Sequence, residues 1–349
     1  MAYNELRKDY ILNRWVVIAT ERGRRPTDFA KPRNEHAKNA NCPMCVGNEH
    51  ITPPASMLYL KMENGQIIRA IDPIEGERPK NWLIRSFPNL YPAFVPPKNA
   101  QDSADTEVLE QDGHGFAIGE HEVLDESPNH SEGPADAELP QLELLIKAYI
   151  DRLSEFSLKP FVKYVQIFRN YGPEAGASLS HAHSQIIATP IIPSTVANEQ
   201  AACKSYFEQN KKCFFCDLIE KEAKGPRTIL ENEHFLVFTP YASITPLEFW
   251  ILPKRHSPNI LDLSETEISA FAKTLKTSLK ALKNLVNDPP YNYGFHIAIN
   301  KDAQESYHWH VEVYPKLSIW AGFELSSGIF INTVAPENAA SELKRVIEA

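Results

Sequence analysis

Two histidines one residue apart, His181 and His183, stand in the run Ser178-Leu179-Ser180-His181-Ala182-His183-Ser184-Gln185-Ile186-Ile187. Branched Ile186 and Ile187, the small-residue entry Gly176-Ala177 and the stop at Pro190 predict a β-strand. Strand side chains alternate with period two, so His181, His183 and Gln185 are expected on one face, roughly 7 Å apart per step of two residues. A neutral imidazole is a competent nucleophile toward phosphorus, and a phosphoryl-imidazole intermediate divides one difficult transfer into two easier steps. Gly176, Ala177 and Ser178 offer backbone N–H groups and a hydroxyl in a turn open to close approach. Gln185 and Asn170 add amide donors, and preset donors are usually the largest catalytic contribution. The pattern thus predicts attack by His183 on a phosphate. Attack by Ser178 or Ser180 with His183 as base ranks lower, because no acidic partner stands nearby in the sequence. For any lone His-x-His pair, a half-exposed polar strand face is the plain alternative.

Four of the five cysteines form two Cys-x-x-Cys pairs, Cys42-Pro43-Met44-Cys45 and Cys213-Phe214-Phe215-Cys216, with Cys203 left over. With no apolar signal core at the N-terminus, this spacing favours metal thiolates or redox chemistry over structural disulfides. Cys42 follows the polar loop Lys38-Asn39-Ala40-Asn41, the setting of a zinc knuckle. After each pair come a histidine at a strand end, a helical stretch and a His-x-His strand. The interval from His130 to His181 and that from His256 to His308 differ by a single residue. A repeated order of this kind marks an internal duplication. Each half offers two thiolates and two imidazoles: Cys42, Cys45, His130 and His181, then Cys213, Cys216, His256 and His308. Such sets close a tetrahedron around zinc and leave no position for water, so the metals are expected to be structural.

Composition sets the outer bounds. A hydrophobic content of 43% is that of a globular protein, and a formal charge of −9 argues against a nucleic-acid-binding surface. No run approaches a membrane span, and the expected location is cytoplasmic.

The elements expected to carry these groups are a hairpin within Tyr10–Ala19 and strands at Ser56–Leu60, Trp82–Ser86, Gly119–Leu124 and Phe161–Phe168. A helix is expected over Leu142–Phe156, and residues from Pro96 to about Gly113 form an acidic surface loop. The second half adds strands at His234–Thr239, Leu247–Leu252 and Tyr293–Ile299 and a helix at Glu265–Leu285. The arginines of Glu21-Arg22-Gly23-Arg24-Arg25-Pro26 suit phosphate contact, or a solvated loop. Two parts are expected, residues 1–192 and 193–349.

The stretches Leu6-Arg7-Lys8 through Arg25-Pro26, Cys42-x-x-Cys45, Ser127-Pro128-Asn129-His130-Ser131, Asn170 to Gln185, Leu252-Pro253-Lys254-x-His256 and His308 to Pro315 together resemble the galactose-1-phosphate uridylyltransferase family of the histidine-triad superfamily. That resemblance implies an α+β fold of duplicated histidine-triad-like half-barrels, with antiparallel sheets, flanking helices and commonly a homodimer. It implies a double displacement in which a histidine, here His183, takes the nucleoside monophosphate from a nucleotide sugar such as UDP-glucose and passes it to a hexose 1-phosphate. Nucleotide-phosphate contacts then fall on Arg22, Arg25, Asn170, Ser178 and Gln185, and acceptor contacts on Gly322, Phe323 and Glu324. Some members carry a further iron or zinc site; Glu199, His296 and His310 fall on three of its positions, with Glu312 as the fourth. Polar residues left by duplication are the alternative for that set.

Departures from the family pattern point to a second acceptor. Typical members read His-Pro-His-Gly-Gln where this chain has His181-Ala182-His183-Ser184-Gln185. The acceptor-binding lysine and glutamine positions hold Ser318 and Phe330. The second cysteine pair, Ser184, and Phe323-Glu324 followed by Gly328-x-x-Ile331-Asn332 look more like the ADP-glucose phosphorylase relatives, in which inorganic phosphate takes the nucleotide. A zinc-stabilised nucleotide-binding protein without turnover is the non-enzymatic reading. The second strand, with Glu312 at the repeat position of Gln185, is expected to be catalytically silent.

Overall fold

The computed structural model describes residues 3–20, 42–99 and 113–349. They form two compact units that are not uninterrupted halves. Residues 42–99, 113–169 and 178–193 make one unit, while 3–20 and 170–177 group with 194–349 in the other.

The chain begins with a hairpin of β1 (Glu5–Lys8) and β2 (Trp15–Ile18). The hairpin expected within Tyr10–Ala19 starts earlier, and Tyr10 and its neighbours form its turn. The Asp9 carboxylate organises it by accepting from the N–H groups of Ile11 and Leu12 at 2.9 and 2.8 Å and from Arg14 Nε at 2.9 Å.

The unit that carries His183 is built on β3 (Met57–Lys61), β4 (Ile67–Ala70), β5 (Trp82–Pro88), β6 (Glu120–Asp125), β7 (Tyr164–Tyr171) and β8 (His183–Thr189). The last two residues of β7 belong to the other unit. Strand order is β4-β3-β5-β6-β8-β7, antiparallel throughout. Helix α1 (Leu139–Ser157) has Pro140 in its first turn and buries Leu142, Leu145, Tyr149, Leu153 and Phe156, the stripe its spacing predicts. Its one buried cation, Arg152, meets the Glu122 carboxylate of β6 through Nε and Nη2, each at 2.8 Å. The loop of the first cysteine pair is anchored by apolar packing of Cys42 and Met44 against Leu58, Trp82, Phe87 and Val123.

The other unit holds α2 (Ser194–Asn210), α3 (Phe214–Glu222), β9 (Thr228–Glu231), β10 (Phe235–Phe238), β11 (Phe249–Pro253), α4 (Glu265–Val286), β12 (Tyr291–His296) and β13 (His310–Pro315). Its sheet runs β12-β13-β11-β10-β9, again antiparallel. Helix α4 opens on a capping box: Glu267 N–H donates to Ser264 Oγ, and Ser264 N–H donates back to the Glu267 carboxylate. It stops at Asn287, whose φ of 58° is left-handed. Phe271 of α4 packs against Phe235 and Trp309 with ring centroids 5.3 Å apart in each case, forming the centre of this core. Helix α5 (Gly322–Ser327), β14 (Phe330–Asn332) and helix α6 (Pro336–Glu348) follow, and β14 pairs parallel with β2. The class is the α+β arrangement of antiparallel sheets and flanking helices expected from the sequence. No helix among the described residues is long and apolar enough to cross a membrane.

Gly119, at the entrance to β6, has no room for a side chain: a Cβ there would lie 2.1 Å from the Ala188 carbonyl oxygen of β8. Gly119→Ala is therefore expected to destabilise the protein by about 1–3 kcal/mol through overpacking. Chemical denaturation with unchanged midpoint would contradict that account.

Candidate active site and metal centres

The histidine strand begins at His183, five residues later than its sequence pattern suggests. His181 lies just outside β8, while His183 and Gln185 lie within it. Here the chain is committed to other partners: Ala182 N–H donates to the His130 carbonyl at 3.2 Å, and the Ala182 carbonyl accepts from Glu126 N–H at 3.0 Å. The His181 side chain turns to the first cysteine pair. Its Nδ1 lies 3.8 Å from Cys42 Sγ and 3.6 Å from Cys45 Sγ, and His130 Nδ1 is 3.3 Å from Cys45 Sγ. A tetrahedral zinc with ordinary Zn–S and Zn–N bonds separates its sulfur and nitrogen ligands by about 3.5 Å.

The tautomers agree with that use. His181 donates its Nε2–H to the Ser127 carbonyl at 2.9 Å, and His130 donates its own to Ser180 Oγ at 2.9 Å. Each ring thereby presents an Nδ1 lone pair to the thiols, the second-sphere pattern of metal-binding histidines. Burial lowers the His181 pKa to about 4, keeping the ring neutral. Cys213, Cys216, His256 and His308 repeat the design. His256 and His308 donate Nε2–H to the carbonyls of Gln304 (2.9 Å) and Pro253 (2.8 Å), and their Nδ1 atoms lie 3.6 and 3.7 Å from Cys216 Sγ. In each set the four ligand atoms lie within 4.8 Å of one another. Cys213 stands at the N-terminus of α3 and Cys216 inside it, but that helix follows α2 and not a strand, unlike a thioredoxin-type redox pair.

His183 is buried, 6% exposed. Its Nδ1–H donates to the His181 carbonyl at 2.8 Å, which leaves the lone pair on Nε2. Burial lowers its pKa, opposed by that hydrogen bond and by the charge of Glu126. The ring is thus neutral, with its lone pair on one defined nitrogen. Acidic residues absent from its sequence neighbourhood do come close in space, but they form no serine triad. Glu126 is held by Arg169 Nε at 3.0 Å to both oxygens, Asp125 makes an ion pair with Arg85 at 3.6 Å, and Ser180 is engaged by His130. Ser184, where family members have glycine, points to the opposite side of β8. Its hydroxyl donates to Glu126 and accepts from Tyr149 in α1.

Gln185 follows His183 on the same face, with its Oε1 2.8 Å from His121 Nε2. The sequence reading passed over His121; its signal was a polar residue in phase with Val123 on the site face of β6. Ser178 is exposed, beside His183's strand. Asn170, Gly176 and Ala177 belong to the other unit, where Asn170 Oδ1 accepts from Asn292 Nδ2 at 2.8 Å and Gly176 takes the left-handed φ of 87°. Gly322, Phe323 and Glu324 form the exposed start of α5, in which the Glu324 carboxylate accepts from Ala321 N–H at 3.0 Å. Arg22 and Arg25 lie outside the described residues, as does most of the expected acidic loop.

Glu199, His296, His310 and Glu312 also gather, all buried. His296 Nδ1 is 3.0 Å from Glu199 Oε2, which also accepts from Tyr307 Oη at 2.8 Å. The Glu312 carboxylate lies 3.6 Å from His296 Nε2 and 3.5 Å from His310 Nε2, and the latter atom has no hydrogen-bond partner among the described residues. Burial opposes a charge on His296, yet Glu199 and Glu312 raise its pKa to about 9. The field between the carboxylates thus favours positive charge. Two imidazoles and a carboxylate at these separations fit a divalent ion, with Glu199 fixing the His296 ring from outside.

With this geometry established, relatives give it a context. A family model described as "Domain of unknown function (DUF4921)" matches residues 95–349. An ADP-glucose phosphorylase from Arabidopsis thaliana is 35% identical over 98% of this chain and 93% of its own length. A galactose-1-phosphate uridylyltransferase from Thermotoga maritima is 30% identical, over 97% of this chain and 98% of its own. The crystal structure of an Arabidopsis ADP-glucose phosphorylase with bound ADP-glucose superposes with a TM-score of 0.78 at 32% identity, covering 98% of this chain and 99% of that one. The chain belongs to the galactose-1-phosphate uridylyltransferase family and is a nucleotidyltransferase enzyme. Within that family, whose members act on nucleotide sugars and sugar phosphates, its relatives include the ADP-glucose phosphorylase branch.

Cys42→Ser is expected to remove one bound metal equivalent per chain and to lower the melting temperature. Cys216→Ser should remove a separate equivalent. Elemental analysis and thermal unfolding check both, and unchanged metal content in either variant would contradict the ligand sets.

Proposed function

We propose that this enzyme is an ADP-glucose phosphorylase working through a covalent His183 adenylyl intermediate. His183 Nε2 attacks the α-phosphorus of ADP-glucose, the bond from that phosphorus to the bridging oxygen breaks, and glucose 1-phosphate leaves. Inorganic phosphate then attacks the same phosphorus, the P–N bond breaks, and ADP is released with His183 restored. Gln185 donates to a non-bridging oxygen during both transfers, and Asn170, Ser178, Gly176 and Ala177 are the further phosphate contacts. Gly322, Phe323 and Glu324 contribute to the acceptor side. Cys42, Cys45, His130 and His181 hold a structural zinc, and Cys213, Cys216, His256 and His308 a second. With all four positions filled by protein, neither offers a site to substrate. A divalent ion at His296, His310 and Glu312 is a third.

The observation that carries the chemistry is the hydrogen bond from His183 Nδ1–H to the His181 carbonyl, because it commits Nε2 to attack. The choice of donor and acceptor is supported by the higher identity to an ADP-glucose phosphorylase, 35% against 30%. It is also supported by Ser318 at the lysine position expected to hold a hexose phosphate, since a hydroxyl cannot replace a cation at an anion site. Uridylyl transfer to galactose 1-phosphate is the competing reading, supported by the Thermotoga relative.

Incubation with ADP-glucose labelled in the α-phosphate, without acceptor, is expected to give an acid-labile labelled protein and one equivalent of glucose 1-phosphate. His183→Ala should abolish both. Added phosphate should discharge the label as ADP. Labelling by UDP-glucose with discharge by galactose 1-phosphate would establish the competing reading, and no labelling by either donor would remove the covalent mechanism.

A further inference from the structure

The side-chain amide of Gln185 has two ends of opposite use at a phosphate: an NH2 that donates and an oxygen that repels. Which end is presented depends on the partner of the oxygen. Among the described residues that partner is His121 of β6, 91% buried, with Nε2 2.8 Å from Gln185 Oε1. In the β6–β8 ladder His121 stands opposite Ile187 and Val123 opposite Gln185, so the ring reaches diagonally along the face that also carries His183.

The tautomer of His121 is fixed from its other side. The backbone N–H of Ala93 donates to His121 Nδ1 at 3.1 Å, so that nitrogen carries no hydrogen. Burial depresses the ring's pKa and keeps it neutral, so its single hydrogen is on Nε2. Asn89 Nδ2 lies 3.1 Å from the same nitrogen but is itself a donor, because Asn89 Oδ1 is engaged by Tyr91 N–H at 2.9 Å. The acceptor of the His121 hydrogen is therefore Gln185 Oε1. A flipped amide would set a second NH2 beside Nε2–H, next to that of Asn89, and leave the ring hydrogen with no acceptor among these neighbours.

We propose that His121 is a positioning residue that sets the Gln185 amide oxygen-inward, so that its NH2 is the end offered to the transferred phosphate. The assignment extends from the backbone of Ala93 through the imidazole to the amide, and it rests on the proposed role of Gln185 in nucleotide transfer. The second half lacks the device's purpose: Glu312, at the repeat position of Gln185, has two acceptor oxygens and no end that donates.

Single-turnover adenylylation of His183 by ADP-glucose tests it, in the full-length metal-loaded enzyme. His121→Leu is expected to slow the step roughly tenfold, short of the roughly 10²- to 10³-fold that loss of a whole preset donor costs. His121→Gln, which keeps an N–H donor at similar reach, should restore most of the rate. His121→Leu combined with Gln185→Ala should be no slower than Gln185→Ala alone, because both changes remove one device. A wild-type rate in His121→Leu, or losses that multiply in the double variant, would overturn the proposal. Long-range ¹H–¹⁵N correlation spectra of the wild-type protein read the His121 tautomer directly. Hydrogen on Nε2 supports the proposal and hydrogen on Nδ1 overturns it, including when His121→Leu does not fold. Should ADP-glucose fail to label wild-type protein, the phosphorylase reading falls while these spectra still decide the His121 assignment.

Discussion

One backbone carbonyl, that of His181, joins the first Cys/His cluster to the imidazole proposed as nucleophile. The side chain of the same residue is gathered with Cys42, Cys45 and His130, and its oxygen accepts the Nδ1–H of His183. A residue fixed at one end by four converging ligands cannot rotate its carbonyl without disturbing them. The proposed structural metal and the proposed nucleophile are therefore coupled through a single residue's covalent geometry. Through such a linkage a metal with no open position would hold the geometry of a reaction it never touches.

The second half repeats the histidine arrangement of the first among different neighbours. His308 repeats His181 in donating Nε2–H to a carbonyl and facing a cysteine pair, and His310 repeats His183 in donating Nδ1–H to the carbonyl two residues back, at 3.2 Å. The difference lies in the neighbours. Gln185 is replaced by Glu312, and Glu199 and His296 crowd the same face. Two buried carboxylates raise the pKa of His296 and favour a cation, whereas the role proposed for the first half calls for groups that receive an anion. The two strands thus share a fold and differ in the charge around their histidines.

Much of this was legible in the chain because the informative residues are polar in otherwise apolar strands. Both Cys₂His₂ groupings follow from spacing and repetition, and the helix stripes of Leu142–Phe156 and Glu265–Leu285 are the ones that pack. Other features depend on distant partners. Alternation placed His181 on the face of His183, but residue 182 bonds to the His130 backbone and delays the strand. The hairpin shifted toward the N-terminus because the Asp9 carboxylate captures the turn, a local bond that hydrophobic periodicity does not register. His121 was missed since its role depends on a ladder register and on the N–H of Ala93. Ser184, a departure from the family pattern, is explained only by Glu126 and Tyr149, which sequence distance hides.

The interleaving of the two units has a consequence for how the chain is made. The segments that complete the His183-bearing unit have all been synthesised by residue 193. The β1–β2 hairpin, emerging first, must wait for β14 at residues 330–332 to supply its third strand. During translation at roughly 5–20 residues per second, that edge stays unpaired for many seconds. Trp15 and Leu6, exposed even in the finished protein, belong to that waiting hairpin. The earliest-made strands are therefore among the last to find their complete sheet, and nascent-chain chaperones would have their longest task there.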